Sequence, residues 1–265
     1  MAGERAVWRR PRLIRRPIVR WALTVCAAAY LALTLSTLEV NWARIGEGAG
    51  RGARFALAFL HPDFSTRSAD VAAGMLESVA MTIVATAAGV ALSIPVALGA
   101  ARNLSPLPIY LACRGVVTLA RSFQEVIVAI FFVVMVGFGP LAGVLTLALA
   151  SVGFLAKLLA EEIEAIDPAQ VEAVRATGAS KGQIVAFGVL PQILPRFTGL
   201  AVYRLDINFR ESAVVGVVGA GGIGATLQTA FGRYEYGTAA AILLLIIAIV
   251  MSGELLSGRL RRRLV

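Results

Sequence analysis

The stretch that decides the fold is EAVRATGASKGQIVAFGVLP, residues 172–191. Good helix formers run from Glu172 to Thr177, and Gly178 is placed to stop the helix, because glycine tolerates the left-handed backbone of a helix end. A second short helix is expected before Pro191. An Asp167-Pro168 break opens the segment, and Glu161–Lys181 is more polar than its surroundings. The segment therefore predicts a compact helix-turn-helix. The small residues Ala173, Ala176, Gly178 and Ala179 would let a partner surface come close.

Working outward, the loop lies between two apolar runs, Leu141–Ala160 and residues 197–218. The whole chain of 265 residues is 58% hydrophobic and 15% charged, against about 45–50% and about 25% in soluble domains. A membrane span needs about 20 apolar residues. Trp21–Leu38 reads as a retained first span, because it is longer than a signal-peptide core and lacks a clear small-residue cleavage site. Ser78–Ala100 is the second span. Residues 109–136 read as one long third helix, 141–160 as the fourth, 197–218 as the fifth and 238–257 as the sixth. The expected fold is all-α, a polytopic membrane protein with six transmembrane helices. A basic N-terminus (1–20), a polar loop (39–77) with Arg54–Leu60 on the membrane surface, a five-span core (78–257) and a basic tail (258–265) complete the layout.

Orientation follows from lysine and arginine counts. With six spans both termini share a side, and that side, with the 161–196 loop, holds sixteen basic residues against five on the other. Both termini and the loop are expected in the cytoplasm, and residues 39–77 outside. The net charge of +9 thus reflects arginines flanking spans, and no nucleic-acid partner is expected. Cys26 and Cys113 lie in apolar runs and the single histidine, His61, precedes Pro62, so neither a disulfide framework nor a metal site is expected. Gly219-x-Gly221-x-x-Gly224 fits a dinucleotide fingerprint, but it joins two spans without the strand and βαβ unit that reading needs. Gly219, Gly221, Gly222 and Gly224 are better read as allowing backbones to pack or bend. No phosphate-binding Gly-x4-Gly-Lys loop occurs, so no cofactor is expected in this chain.

Charges at membrane depth are costly and face a cavity or a partner. On one continuous helix Arg114, Thr118, Arg121 and Glu125 would share a face. In the fifth span Arg204, Asn208 and Glu211 share one face, with Asp206 and Arg210 roughly opposite. Two readings are open. One is an anion path through Arg121 or Arg204, balanced by Glu125 or Glu211. The other is structural ion pairing, Asp206 with Arg210 included. Ser78, Thr82, Thr86, Gly89 and Ser93 form a small-residue stripe suited to helix packing.

The spacing Glu172-Ala173-Val174, three residues, Gly178, nine residues, then Gly188-Val189-Leu190-Pro191 resembles the EAA loop of membrane subunits of type I ATP-binding-cassette (ABC) importers. Val174 and Gly188 depart from the usual alanine and isoleucine. Val152-Gly153-Phe154, Gly178-Ala179-Ser180, Tyr203-Arg204-x-Asp206-x-Asn208-x-Arg210 and the glycine string resemble the phosphonate-import permeases, over most of residues 70–257. The resemblance implies a bacterial inner-membrane permease in which loop 161–191 couples to a separate ATPase dimer that holds ATP and magnesium. Glu172, Ala173, Gly178, Leu190 and Pro191 would carry that coupling. It also implies a second copy of the chain, an extracytoplasmic phosphonate-binding protein and surrounding lipid as partners, and no catalytic role. Alternatives are a phosphite, hypophosphite, phosphate or methionine-type permease. A proton-coupled carrier using Asp206, Glu211 and Glu125 is the rival from another class.

Overall fold

The computed structural model describes residues 16–37 and 41–264. Residues 1–15 of the basic N-terminus read over 1–20, the junction at 38–40 and residue 265 of the tail lie outside the described residues. Among the described residues all regular structure is helical, as an all-α membrane protein requires. The chain divides into two units, residues 1–53 and 54–265.

In the first unit α1 (Pro17–Thr37) is apolar all round, the pattern of a helix bathed in lipid. Pro17 sits at its start, where a missing N–H costs nothing. The polar loop expected over 39–77 is corrected. Trp42–Ala58 forms α2, and α3 begins at Ser68. Four glycines depress helix propensity in α2. At its far end Phe55 packs on Phe59, Phe231 and Tyr236 with ring centroids 5.3, 5.4 and 5.9 Å apart. Asp63, in the turn that follows, accepts bonds from the hydroxyls and amides of Thr66 and Ser65, which hold its carboxyl well below the usual carboxylate range.

The second unit is organised on α3 (Ser68–Ala100) and α6 (Pro140–Glu164), which pack along each other. Five described helices are long and apolar enough to cross a membrane. A sixth candidate is a bent pair, a broken span or a re-entrant loop. Leu107–Ser122 (α4) and Glu125–Val136 (α5) meet at 95°. The single third helix expected over 109–136 is thus corrected, as is the one face expected to carry Arg114, Arg121 and Glu125 together. Phe123 and Gln124 take extended backbone, with ψ of 140° and 143°. The break leaves Arg121 in the last turn of α4 and Glu125 in the first turn of α5. Each charge then opposes the local helix dipole.

Beyond α6 come α7 (Pro168–Ala176) and α8 (Lys181–Ile184). The α8 backbone widens into a π turn, Val185–Val189, and runs directly into α9, Leu190–Val215. The short helix expected before Pro191 is α8, and Pro191 itself lies in the first turn of α9, where it forfeits no hydrogen bond. The fifth span is accordingly longer at its start than 197–218. Its end winds through a second π turn, Gly216–Ala220, into α10, Gly222–Gly232, and then α11, Tyr236–Leu264. The glycine string is therefore followed by a short helix rather than a continuing loop.

That string sits at the end of the bundle away from α7. Gly219, Gly221 and Gly222 have φ of 98°, 78° and 71°, a region that side chains disfavour. A Cβ on Gly219 would strike the Phe138 ring, and one on Gly224 would strike the Ala213 carbonyl. Glu77 and Ser78 of α3 accept bonds from the Gly222 and Ile223 amides, at 3.1 and 2.9 Å, capping α10. Gly224→Val is expected to lower the thermal unfolding midpoint in detergent by several degrees, since overpacking of this kind costs about 1–3 kcal/mol or more. Gly115→Ala, with nothing within 4 Å of the new methyl, is expected to leave the midpoint unchanged or raise it. Equal midpoints for the two variants would contradict the packing argument.

Candidate functional site: a mid-span cavity and a projecting loop

Arg204 lies about midway along α9 and is almost fully buried, 3% exposed. Its guanidinium is fixed from three sides. Nε donates to Ser151 Oγ of α6 at 3.0 Å, Nη2 meets Glu211 Oε2 at 3.0 Å, and the Phe154 ring lies 5.5 Å from the guanidinium carbon. Behind it Asn208 donates to Thr86 Oγ1 of α3 at 2.8 Å and to Ser151 Oγ at 2.9 Å. Ser151 also donates to the Leu147 carbonyl. Three spans are thus pinned together by polar side chains. Such bonds are sustained in lipid because the alternative is an unsatisfied group.

Arg204 opens on a polar cavity of about 430 Å³ at the α4–α5 break, lined also by Arg121, Ser122, Gln124, Glu125 and Phe154. Gly153 makes the crossing possible, because a Cβ there would come 2.9 Å from Arg121 Cγ. Arg121 makes no ion pair or hydrogen bond among the described residues. Glu125 interacts electrostatically with both Arg204 and Glu211. The cavity therefore offers two guanidiniums, one committed to Glu211 and one uncommitted, with a nearby carboxylate. That arrangement can hold a small anion without a deep electrostatic well.

Of the expected pathway residues, Arg121, Glu125 and Arg204 come together around the cavity, Glu211 backs Arg204, and Asn208 is a bracket behind it. Arg210 is not brought there. It pairs with Asp206 at 2.9 Å, one turn away on the same helix, and Asp206 borders a separate apolar groove with Val79, Val202 and Phe209. Sequence reasoning missed Ser151 and Gln124, and read Thr86 and Ser78 as packing alone. A serine at the centre of an otherwise apolar span was the available signal for Ser151.

At the other site, α7 projects with no buried residue. Glu172, Ala173, Ala176 and Gly178 are exposed, and Pro191 and Leu190 are exposed as well. Asp167 caps α7 by accepting from the Ala169 amide at 3.0 Å. Gly178 has φ of 79° with nothing within 4 Å of an added Cβ, so its backbone and not its surroundings requires glycine. Gly188 lets α7 close in, its would-be Cβ lying 3.4 Å from Val171 Cα. Gln192, also missed, accepts from the Asp167 amide at 3.0 Å and donates to the Gly188 carbonyl at 2.7 Å. Arg196 and Glu162 pair at 2.5 Å between α9 and α6. Below them Ile163, Val189, Ile193 and Phe197 form one apolar cluster, with Val171 packed against it.

Residues 89–265 match the family described as "Binding-protein-dependent transport system inner membrane component". The chain belongs to that family. It is a multi-pass permease component of ABC importers, a translocation subunit rather than an enzyme. This permease is 39% identical over 242 residues to the phosphate-import permease protein PhnE of Mycolicibacterium smegmatis, covering 91% of the chain but 44% of that protein. It is 45% identical over 202 residues to the phosphite transport system permease protein PtxC of Stutzerimonas stutzeri, covering 76% of the chain and 73% of that protein. The chain thus spans less than half of the first relative's length. Among solved structures, the permease matches the MetNI methionine ABC transporter in an inward-facing conformation with a TM-score of 0.62 and 28% identity. That match covers 74% of this chain and 96% of the other.

Proposed function

We propose that this permease carries small phosphorus oxyanions, organophosphonates first, through the membrane as the translocation subunit of an ATP-driven importer. The observation that carries the reading is the mid-span cavity, where Arg204 and Arg121 meet a balancing carboxylate. A permease must release its anion, so a guanidinium already shared with Glu211 suits the task better than a bare one. The relatives named for phosphate and phosphite support the same ligand chemistry. A zwitterion such as methionine needs less positive charge than the cavity offers.

In this reading two copies of the permease enclose the path, since the cavity opens on the protomer surface and cations at that depth require a wet or protein-lined neighbour. Both termini and α7 lie in the cytoplasm, as the arginine distribution requires. Two ATPase subunits receive the exposed face of α7 around Glu172 and Ala173, and hold the ATP and magnesium. A binding protein delivers substrate from outside. Closure of the ATPases moves α7, and the contacts of Val171 and Gln192 pass that motion to α9, a rigid-body relay.

The test is reconstitution with the neighbouring ATPase and binding protein, measuring ATP turnover and uptake against phosphonates, phosphite, phosphate and methionine. Stimulation by a phosphorus oxyanion is expected. Uptake that follows a proton gradient, with no ATPase bound, would overturn the reading in favour of a carrier working through its buried carboxylates. In the same assay Gln192→Ala is expected to keep the complex assembled while lowering substrate moved per ATP. Two lost hydrogen bonds weaken the joint by about 1–2 kcal/mol. An unchanged ratio would remove Gln192 from the relay.

A further inference from the structure

A second polar cavity of about 300 Å³ lies along α4 towards the α7 end of the bundle, lined by Arg114, Val117, Thr118, Arg121, Ser122 and Lys157. It shares Arg121 and Ser122 with the mid-span cavity. On α4 the polar lining residues are spaced 4, 7 and 8 from Arg114, one helical face, and Arg114 to Arg121 is about 10 Å of rise. Lys157 reaches in from α6.

The cations are held ready. Arg114 Nε donates to the Ala100 carbonyl at 2.9 Å, Nη2 meets Glu164 at 2.9 Å, and its guanidinium carbon lies 5.4 Å from the Tyr110 ring centroid. Lys157 lies 3.6 Å from Glu161. Neither carboxylate is among the lining residues, so three cations face the cavity and no anion does. The hydroxyls of Thr118 and Ser122 donate to carbonyls one turn back on α4, at 2.8 and 2.7 Å. That leaves their oxygens as acceptors.

A lining that joins three cationic donors to two hydroxyl acceptors matches a ligand with both anionic oxygens and one acidic O–H. A singly protonated phosphorus oxyanion has that pattern at neutral pH, whereas sulfate has no proton to give. We infer that this cavity is a second binding site for a singly protonated phosphorus oxyanion, with Arg121 as the residue shared between the two cavities. Its place as the inner station of an import path rests on the function proposed above; the binding itself does not.

The experiment uses the permease with its ATPase in phosphatidylcholine nanodiscs without nucleotide. It measures equilibrium binding of radiolabelled inorganic phosphate, with unlabelled methylphosphonate and sulfate as competitors. Lys157→Met is expected to weaken one class of phosphate site by about tenfold, the loss of one charge-assisted hydrogen bond. Lys157→Arg is expected to restore it, which separates binding from folding. The double variant Arg204→Met, Glu211→Met, which removes both partners of the buried pair, leaves this class in place, and sulfate competes about tenfold more weakly than methylphosphonate for want of the O–H bond. Phosphate binding indifferent to both Lys157→Met and Arg121→Met would overturn the assignment. So would displacement of phosphate by added phosphatidylglycerol that wild type retains and Lys157→Met does not, because the occupant would then be a lipid headgroup. Lys157-dependent binding in a protein that shows no ATP-driven uptake would support the site and count against the import reading alone.

Discussion

Arg204→Met is expected to abolish uptake and to destabilise the permease by about 3–5 kcal/mol, because removing one partner of a buried pair leaves the other charge uncompensated. The Arg204 side chain is 4% exposed and its partner Glu211 24% exposed. The loss also removes the Arg204–Ser151 bond between α9 and α6, leaving Asn208 alone to join α9 to α6 and α3. Stability and transport can be separated by the double variant Arg204→Met, Glu211→Met. It removes both charges, and replacing a buried pair with apolar side chains of similar size is often neutral or better. Its thermal midpoint should return towards wild type while uptake stays lost, since the cavity then keeps Arg121 alone. If the double variant also transports, Arg204 is a structural cation and the anion path lies elsewhere. If the single variant transports normally, the mid-span cavity has no part in translocation.

Gly178→Val is expected to lower ATP-coupled uptake by about tenfold while leaving the spans folded. A branched side chain at φ of 79° costs about 1–2 kcal/mol, and that strain falls on the turn between α7 and α8. Open space around Gly178 gives the prediction its control. Gly178→Asn, which tolerates the left-handed region, should transport nearly as wild type despite its added bulk. The measurements are uptake and ATP turnover for each variant in the assembled complex. Equal loss in both variants would point to a partner's surface pressed against the glycine. No loss in either would mean that the turn does not have to keep its shape for coupling.

Much was legible without coordinates because membrane spans announce themselves by local composition. The five long apolar helices, the break at Asp167-Pro168 that opens α7, and the glycine after Thr177 all follow from short-range chemistry. So does the pairing of Asp206 with Arg210, four residues apart on one helix. The apolar pattern also placed the charges that matter, since a cation inside a span stands out against its neighbours. What failed was continuity. No glycine or proline marks residues 121–126, so periodicity drew one helix through a 95° bend. The fifth span was drawn from residue 197, although α9 already begins at Leu190, straight out of a π turn.

The class of molecule and the residues out of place in lipid were readable from the chain alone. Only the tertiary structure decided which of them meet. Arg121 and Glu125 reach the Arg204 cavity because α4 breaks beside it and Gly153 lets α4 cross close to α6. Arg210, two residues from the buried Asn208, is turned away by the 100° step of the helix. The physical reason is that burying charge depends on partners contributed by other spans, from Ser151 on α6 to Thr86 on α3. Those partners are far apart in sequence and brought together only by packing.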